Sequence, residues 1–412
     1  MDVAAIRADF PIFARSFAGR PLAYLDSAAT SQKPKSVLEA EERFYSERNA
    51  NVHRGIYALS IEATEAYEAA RERAARFVHA RSPDEVVFVR GTTEAINDAA
   101  SSLGRLLLRR GDRVVTTVME HHSNIVPWQL LRESVGVDLD FVDIDDDGRL
   151  RLDELDRLLE RRPKVVTVTH ASNVLGTVNP IREISERAHA RGAVVLVDAA
   201  QSAPHRSLDV GALGADLVAF SGHKTLGPMG IGVLWGRSEL LQRMPPVQGG
   251  GEMIREVHQD RVSFREPPAR FEAGTPNVAG AIALSSALDY LERLGWEEIG
   301  AHERRLFEYS TEQAQQRFDG RLKVYGPASA GEHRQGLQSF SFEGAHPHDV
   351  AAILDAEGVA VRAGHHCCQP LMERLGVPAL SRASPYIYND EGDIDRLYEG
   401  LEKVAQVFGR PS

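Results

Sequence analysis

Between Glu85 and Trp235 the sequence switches repeatedly between short β-branched runs (EVVFV, RVVTTV, KVVTVTH, AVVLVDAA, DLVAFSG and GIGVLW) and amphipathic stretches with helical spacing. This alternation constrains the fold more than any other feature of the chain. Runs that are apolar throughout need cover on both faces, and intervening helices provide it in an α/β arrangement around a largely parallel sheet. Ligands of such sheets bind beyond the carboxyl ends of the strands, so the polar residues that directly follow each run are expected to face one crevice. These are Thr92, Thr93, His121, Asn173, Asp198, Gln201, Ser221, His223 and Lys224.

After a Pro/Gly-rich segment at 245–276 the pattern changes. It predicts helices over 278–294 and 297–316, short strands near Lys323 and Gln338, a helix from His348, a strand ending at Arg362 and a closing helix from about Glu391, which together read as a smaller α+β domain. The expected organisation is an N-terminal arm over 1–20 packing on the smaller domain, a large domain over 21–277 and a small domain over 278–412. A chain of 412 residues has room for this, and 43% hydrophobic with 26% charged residues excludes disordered, collagen-like and coiled-coil classes. The net charge of −11, with no block of Lys or Arg, argues against nucleic acid or anionic membrane as a partner. No apolar stretch approaches the roughly 20 residues that span a bilayer, and the start MDVAAIRADF lacks the basic-then-apolar order of a signal peptide, so a cytoplasmic location is expected. The only cysteines, Cys367 and Cys368, are neighbours; they cannot build a disulfide framework, which points to a chemical role for a thiol.

Lys224 lies in a polar, Gly-rich turn between two apolar runs, in FSGHKTLGPMG. A Walker A loop needs Gly directly before the lysine, and His223 stands there instead. Asp198 ends a strongly apolar run, where an uncompensated carboxylate is costly to bury. Pyridoxal phosphate enzymes pair a cofactor-bearing lysine with such a carboxylate, which holds the protonated pyridine nitrogen. Taken singly, an exposed loop lysine and a helix N-cap explain the two residues as well. Gly91, Thr92 and Thr93 in RGTTEAIN offer phosphate donors at a helix N-terminus, and Ser221 and His223 flank the lysine turn. His121, in MEHHSN, offers a flat ring to stack on a pyridine, although a lone histidine is more often structural.

At this point the strings LDSAATSQKP, NANVHRGI, EHHSNIVPWQ, ASNVLGT, FSGHK, GPMGIG, RFEAGTPN and VRAGHHC matter together. Over Leu22 to Asn389, in order and spacing, the chain resembles the group II cysteine desulfurases, SUF-system members of the class V aminotransferase superfamily. The resemblance implies a fold-type I, pyridoxal 5'-phosphate-dependent homodimer whose sites are each completed by the neighbouring subunit. It implies that Lys224 carries the cofactor, that Asp198 binds the pyridinium nitrogen and that His121 stacks on the ring. Gln201 and Asn173 would contact the phenolic side of the cofactor or the substrate. Thr92, Thr93, Ser221 and His223 would hold the phosphate, with Thr275 reaching across from the other subunit. Arg382 would bind the substrate carboxylate, with Arg54 and Arg362 also on the substrate side, and Cys367 would be the nucleophile. The implied reaction takes sulfur from L-cysteine, leaves L-alanine and passes a persulfide to an acceptor protein of the SUF type for iron-sulfur cluster assembly.

Two residues depart from the family pattern: Cys368 follows the nucleophile where a small non-thiol residue is usual, and Pro385 follows RAS. His365, His366, Cys367 and Cys368 lack the spacer of a zinc site, so no metal is expected. Selenocysteine lyase activity, a non-catalytic scaffold, and a lyase or transaminase for other amino acids are the competing readings. The joint presence of Lys224, Asp198, Arg382 and Cys367 argues against the scaffold, and Cys367 would be unnecessary for the last.

Overall fold

In the computed structural model the described residues are 1–17, 19–318, 320–328 and 333–409, so the last three positions of the expected small domain lie outside them. A seven-stranded sheet runs in the order Val86–Val89, Gly232–Gly236, Leu217–Ser221, Val194–Asp198, Val165–Thr169, Arg113–Thr117, Asp138–Val142. Neighbours are parallel except for Gly232–Gly236, which is antiparallel to both of its partners. Each of the six β-branched runs forms a strand. The seventh, DLDFV, is an edge strand, and its alternating aspartates hid it from a search for apolar runs while blunting the exposed edge.

Pleating sends successive side chains to opposite faces. Val195 and Val197 therefore join one core with Tyr67, Ile184 and Leu284, while Leu196 joins a second core with Ile96, Leu103 and Trp128. At Gly232 the backbones meet closely: a Cβ there would sit 2.7 Å from Gly91 Cα, in the turn that opens the helix Thr92–Leu107. Glycine is the residue that permits this contact.

A second, antiparallel sheet has the order Leu322–Tyr325, Gln338–Phe342, Leu380–Ala383, Arg362–Gly364. Leu306, Phe340, Leu354 and Leu401 fill its core together with the helices Trp296–Arg317, Pro347–Ala356 and Glu391–Phe408. The strand expected to end at Arg362 starts there instead. The preceding Val359–Ala360 pairs in parallel with Ala23–Tyr24, and the chain then changes partner to lie beside Leu380–Ala383. Leu284, Leu288 and Leu291 of the helix Val278–Leu294 belong to the larger core, against the helices Lys35–Arg43 and Ala58–Phe77. We therefore propose that the boundary between the units falls near Gly295 rather than at Val278. In the N-terminal arm, Arg7 donates to the carbonyls of Tyr388 and Leu22 and pairs with Asp393 at 2.7 Å. Among the described residues no helix is long and apolar enough to cross a membrane.

Candidate active site

The carboxyl ends of the central strands and the strands carrying Arg362 and Arg382 enclose one pocket. Thr92, Thr93, His121, Asn173, Asp198, Gln201, Ser221, His223, Lys224, Arg362, Cys367 and Arg382 all line it. Of the sequence-derived site residues, Thr275 and Arg54 do not. Thr275 is exposed on a separate surface with Arg90 and Gln248, and Arg54 is exposed and paired with Glu252 at 2.5 Å. Spacing alone could not reveal this, because both lie on connections outside the strand–helix alternation.

Asp198 ends its strand almost wholly buried and accepts one hydrogen bond, from the Ala200 N–H at 2.9 Å. Burial pushes its carboxyl up, opposed by that N–H and by Lys224. Lys224 ends the short helical turn Gly222–Lys224 that follows the strand Leu217–Ser221. Burial pushes its ammonium down to about 8, against the attraction of Asp198. The turn is pinned one residue earlier. The His223 carbonyl accepts from Ser31 N at 3.0 Å, Thr30 Oγ1 at 3.0 Å, Ser31 Oγ at 3.1 Å and Lys33 Nζ at 2.9 Å.

His121 accepts at Nδ1 from the Ser123 N–H, 3.1 Å away, which leaves the ring proton on Nε2. Burial pushes this imidazole down to about 3, helped by the charge of Lys224. Beneath it lies a buried network the sequence reading missed. Glu120 accepts from Thr117 Oγ1 at 2.6 Å, Thr169 N at 3.0 Å and Asn124 Nδ2 at 2.6 Å, and burial raises its carboxyl to about 8. The signal was present, since Glu120 follows an apolar run just as Asp198 does.

At the helix end, the Thr92 N–H donates to Ser221 Oγ at 2.8 Å and the two hydroxyls lie 2.7 Å apart. Thr93 Oγ1 meets Ser123 Oγ at 2.7 Å. Gln201 donates to the Ala28 carbonyl at 2.7 Å, while its buried Oε1 has no partner among the described residues.

On the opposite wall, Arg382 is 1% exposed. Its Nη1 donates to Asn173 O at 2.8 Å, its Nη2 pairs with Asp26 at 3.1 Å, and its Nε is buried without a partner among the described residues. Asp26 is the second residue the sequence reading missed. Cys367 is half-buried at the pocket, whereas Cys368 is fully buried, donating from Sγ to Asn173 Oδ1 at 3.1 Å, and burial pushes its thiol far up. Cys368 therefore packs in the core with Met119, Leu371 and Met372. Among the described residues no group of three or more His, Cys, Asp and Glu is placed to hold a metal ion.

The sheet order, with an acid and a lysine at adjacent strand ends facing one pocket, defines the class. Residues 23–397 match the aminotransferase class-V family, and the chain belongs to it. Members of that family depend on pyridoxal phosphate. A cysteine desulfurase of Dickeya dadantii is 51% identical over 405 residues, covering 98% of this chain and 97% of the relative, and one of Cronobacter sakazakii is 50% identical over 98% of both. Among solved structures, the apo cysteine desulfurase of Thermococcus onnurineus NA1 superposes with a TM-score of 0.92 at 40% identity over 98% of both chains. The cysteine desulfurase CsdA of Escherichia coli gives 0.91 at 38% identity over 99% of both. At these identities and coverages the chain is an enzyme of their family within class V.

Proposed function

We propose that this protein is a pyridoxal phosphate-dependent L-cysteine desulfurase that passes persulfide sulfur to a SUF-type acceptor protein for iron-sulfur cluster assembly. The observation that carries the reading is the convergence of Lys224, Asp198, Arg382 and Cys367 on one pocket. The donor set fits the cofactor: a lysine and a buried carboxylate at adjacent strand ends, Thr92 and Ser221 at a helix N-terminus, and the orphaned buried Oε1 of Gln201. In this reading Lys224 bears the cofactor, Asp198 holds its ring nitrogen, and Thr92, Thr93, Ser221 and His223 take its phosphate. Gln201 and Asn173 line its remaining edge.

When bound, the cofactor supplies a sink for the electron pair released at the substrate α-carbon. Arg382 binds the substrate carboxylate through its free Nε edge, with Arg362 beside it on the same wall. Lys224 Nζ, poised near 8, carries the α-proton as general base. The Nε2–H of neutral His121 donates a hydrogen bond to the substrate sulfur. The Cys367 thiolate then attacks the substrate sulfur: a new S–S bond forms, the Cβ–S bond breaks, and its electron pair stays with the three-carbon fragment that becomes alanine. Arg54 and Thr275, distant from the pocket within one chain, are supplied by the second subunit of a homodimer. The net charge of −11 supports a cytoplasmic location in this reading.

The test is to assay alanine and sulfide from L-cysteine with purified, cofactor-loaded protein, with and without an acceptor. Equimolar products and stimulation by the acceptor are expected. A protein that does not bind the cofactor, or that forms no alanine, would overturn the reading.

A further inference from the structure

His366 and Cys367 are consecutive non-glycine residues with φ of +51° and +57°, a conformation that persists only where its surroundings enforce it. Two histidines outside the pocket lining supply much of that enforcement. The His122 N–H donates to the Cys367 carbonyl at 2.7 Å, and His122 Nε2 accepts from the Gln369 N–H at 3.1 Å, so one residue grips the loop on both sides of the doublet. His365 Nδ1 accepts from the Cys367 N–H at 3.1 Å, and the His365 carbonyl accepts from the Cys368 N–H at 2.9 Å. The two rings lie 5.6 Å apart, inclined by 34°. On the inner side Asn173 Nδ2 donates to the His366 carbonyl at 2.8 Å, and the His366 ring bonds the Leu380 carbonyl at 3.0 Å. The carbonyls of His365, His366 and Cys367 and the N–H groups of Cys367, Cys368 and Gln369 are thereby tied.

Resting on the reading of Cys367 as the sulfur-accepting nucleophile, we propose that His122 and His365 are positioning residues for it. Their ring nitrogens accept the N–H groups of Gln369 and Cys367 and so hold the left-handed turn that keeps the Cys367 thiol at the pocket. Neither ring touches the pocket, so neither acts on substrate directly. The ring nitrogens must serve as acceptors, and this separates the proposal from a role in packing. An Asn amide oxygen falls near the place of a His Nδ1, and a Gln amide oxygen near that of a His Nε2.

The test measures single-turnover persulfide formation, the KM for cysteine and the cysteine-induced change in cofactor absorbance, in holoenzyme carrying His365→Ala, His365→Asn, His122→Leu or His122→Gln. The Ala and Leu variants should form persulfide about tenfold more slowly, the cost of one lost hydrogen bond. Their KM and absorbance change should be unaltered, because Arg382 and Lys224 are untouched. The Asn and Gln variants should recover to within about threefold of wild type. The rate at which iodoacetamide alkylates Cys367 should be altered in the Ala and Leu variants and restored in the Asn and Gln variants. Asn and Gln variants no better than Ala and Leu, or a loss expressed in KM alone, would overturn the positioning role. Undiminished sulfide release by Cys367→Ala would instead overturn the reading of the nucleophile, so the two failures are distinguishable.

Discussion

Replacing Arg382 by lysine and by alanine separates what this side chain does for substrate from what it does for the fold. Its guanidinium is divided three ways: Nη1 on the Asn173 carbonyl, Nη2 on Asp26, and Nε buried without a partner among the described residues. Lysine keeps a positive charge near Asp26 but replaces a planar fork by a point donor. The substrate carboxylate then loses at least one charge-assisted hydrogen bond, about 1.5–3 kcal/mol, which is roughly a tenfold to hundredfold rise in KM. Because this contact serves ground state and transition state alike, kcat should change far less. Alanine additionally strands Asp26. Breaking a buried pair costs about 3–5 kcal/mol, and with Asp26 23% exposed the lower end applies. Steady-state alanine production and urea unfolding of the three proteins read both quantities. A lysine variant with the wild-type KM would refute the binding role, and an alanine variant as stable as the lysine variant would refute the structural one.

Lys224→Ala should abolish turnover, and borohydride reduction of the wild-type holoenzyme followed by peptide mapping should place the cofactor on Lys224; recovery on Lys33 or Lys164 would contradict the assignment. Cys368→Ala removes the bond to Asn173 Oδ1 and a buried sulfur, and should cost about 1–2 kcal/mol of stability while sulfide production stays within a few fold of wild type. Burial should also keep Cys368 unalkylated in the folded protein, so rapid labelling there would count against the packing role. Burial pushes His170 from 6.5 down to about 3, so between those values the unfolded chain binds the extra proton. The stability this histidine permits is complete above about 6.5 and declines as pH falls toward 3, by about 1.4 kcal/mol per pH unit. His170→Asn should reduce the acid-side slope of unfolding free energy by that amount, and an unchanged slope would show that His170 does not titrate in this way.

Much of the pocket was legible because strand ends in a parallel sheet face one crevice. Lys224, Asp198, His121 and Asn173 follow apolar runs, and the fold brings them together without further information. Asp26 follows only the short run LAYL, which lacks the β-branched residues of the sheet strands. It reaches Arg382 only because its bridge to Ser384 ties the start of the chain to the end of the strand Leu380–Ala383, a contact of long sequence separation with no local signature. That strand was itself invisible, since four residues of mixed polarity carry no period. The packing of the helix Val278–Leu294 on the larger core was hidden for a related reason: an Ala- and Leu-rich helix fits either core, and packing alone decides. Cys368 shows the converse. A residue adjacent to the nucleophile invites a chemical reading, yet the turn through Cys367 sends consecutive side chains to opposite environments, one at the pocket and one into the core.

The central claim is that Cys367 takes the sulfur of L-cysteine. A single turnover of the holoenzyme with one equivalent of cysteine, quenched and analysed by peptide mass, tests it most directly. The account predicts one alanine per site and the added mass of one sulfur atom on the peptide carrying Cys367, lost on reduction and absent in Cys367→Ser, which should still bind cofactor and substrate. Alanine formed with the sulfur on Cys368 alone, or formed equally by Cys367→Ser, would contradict it.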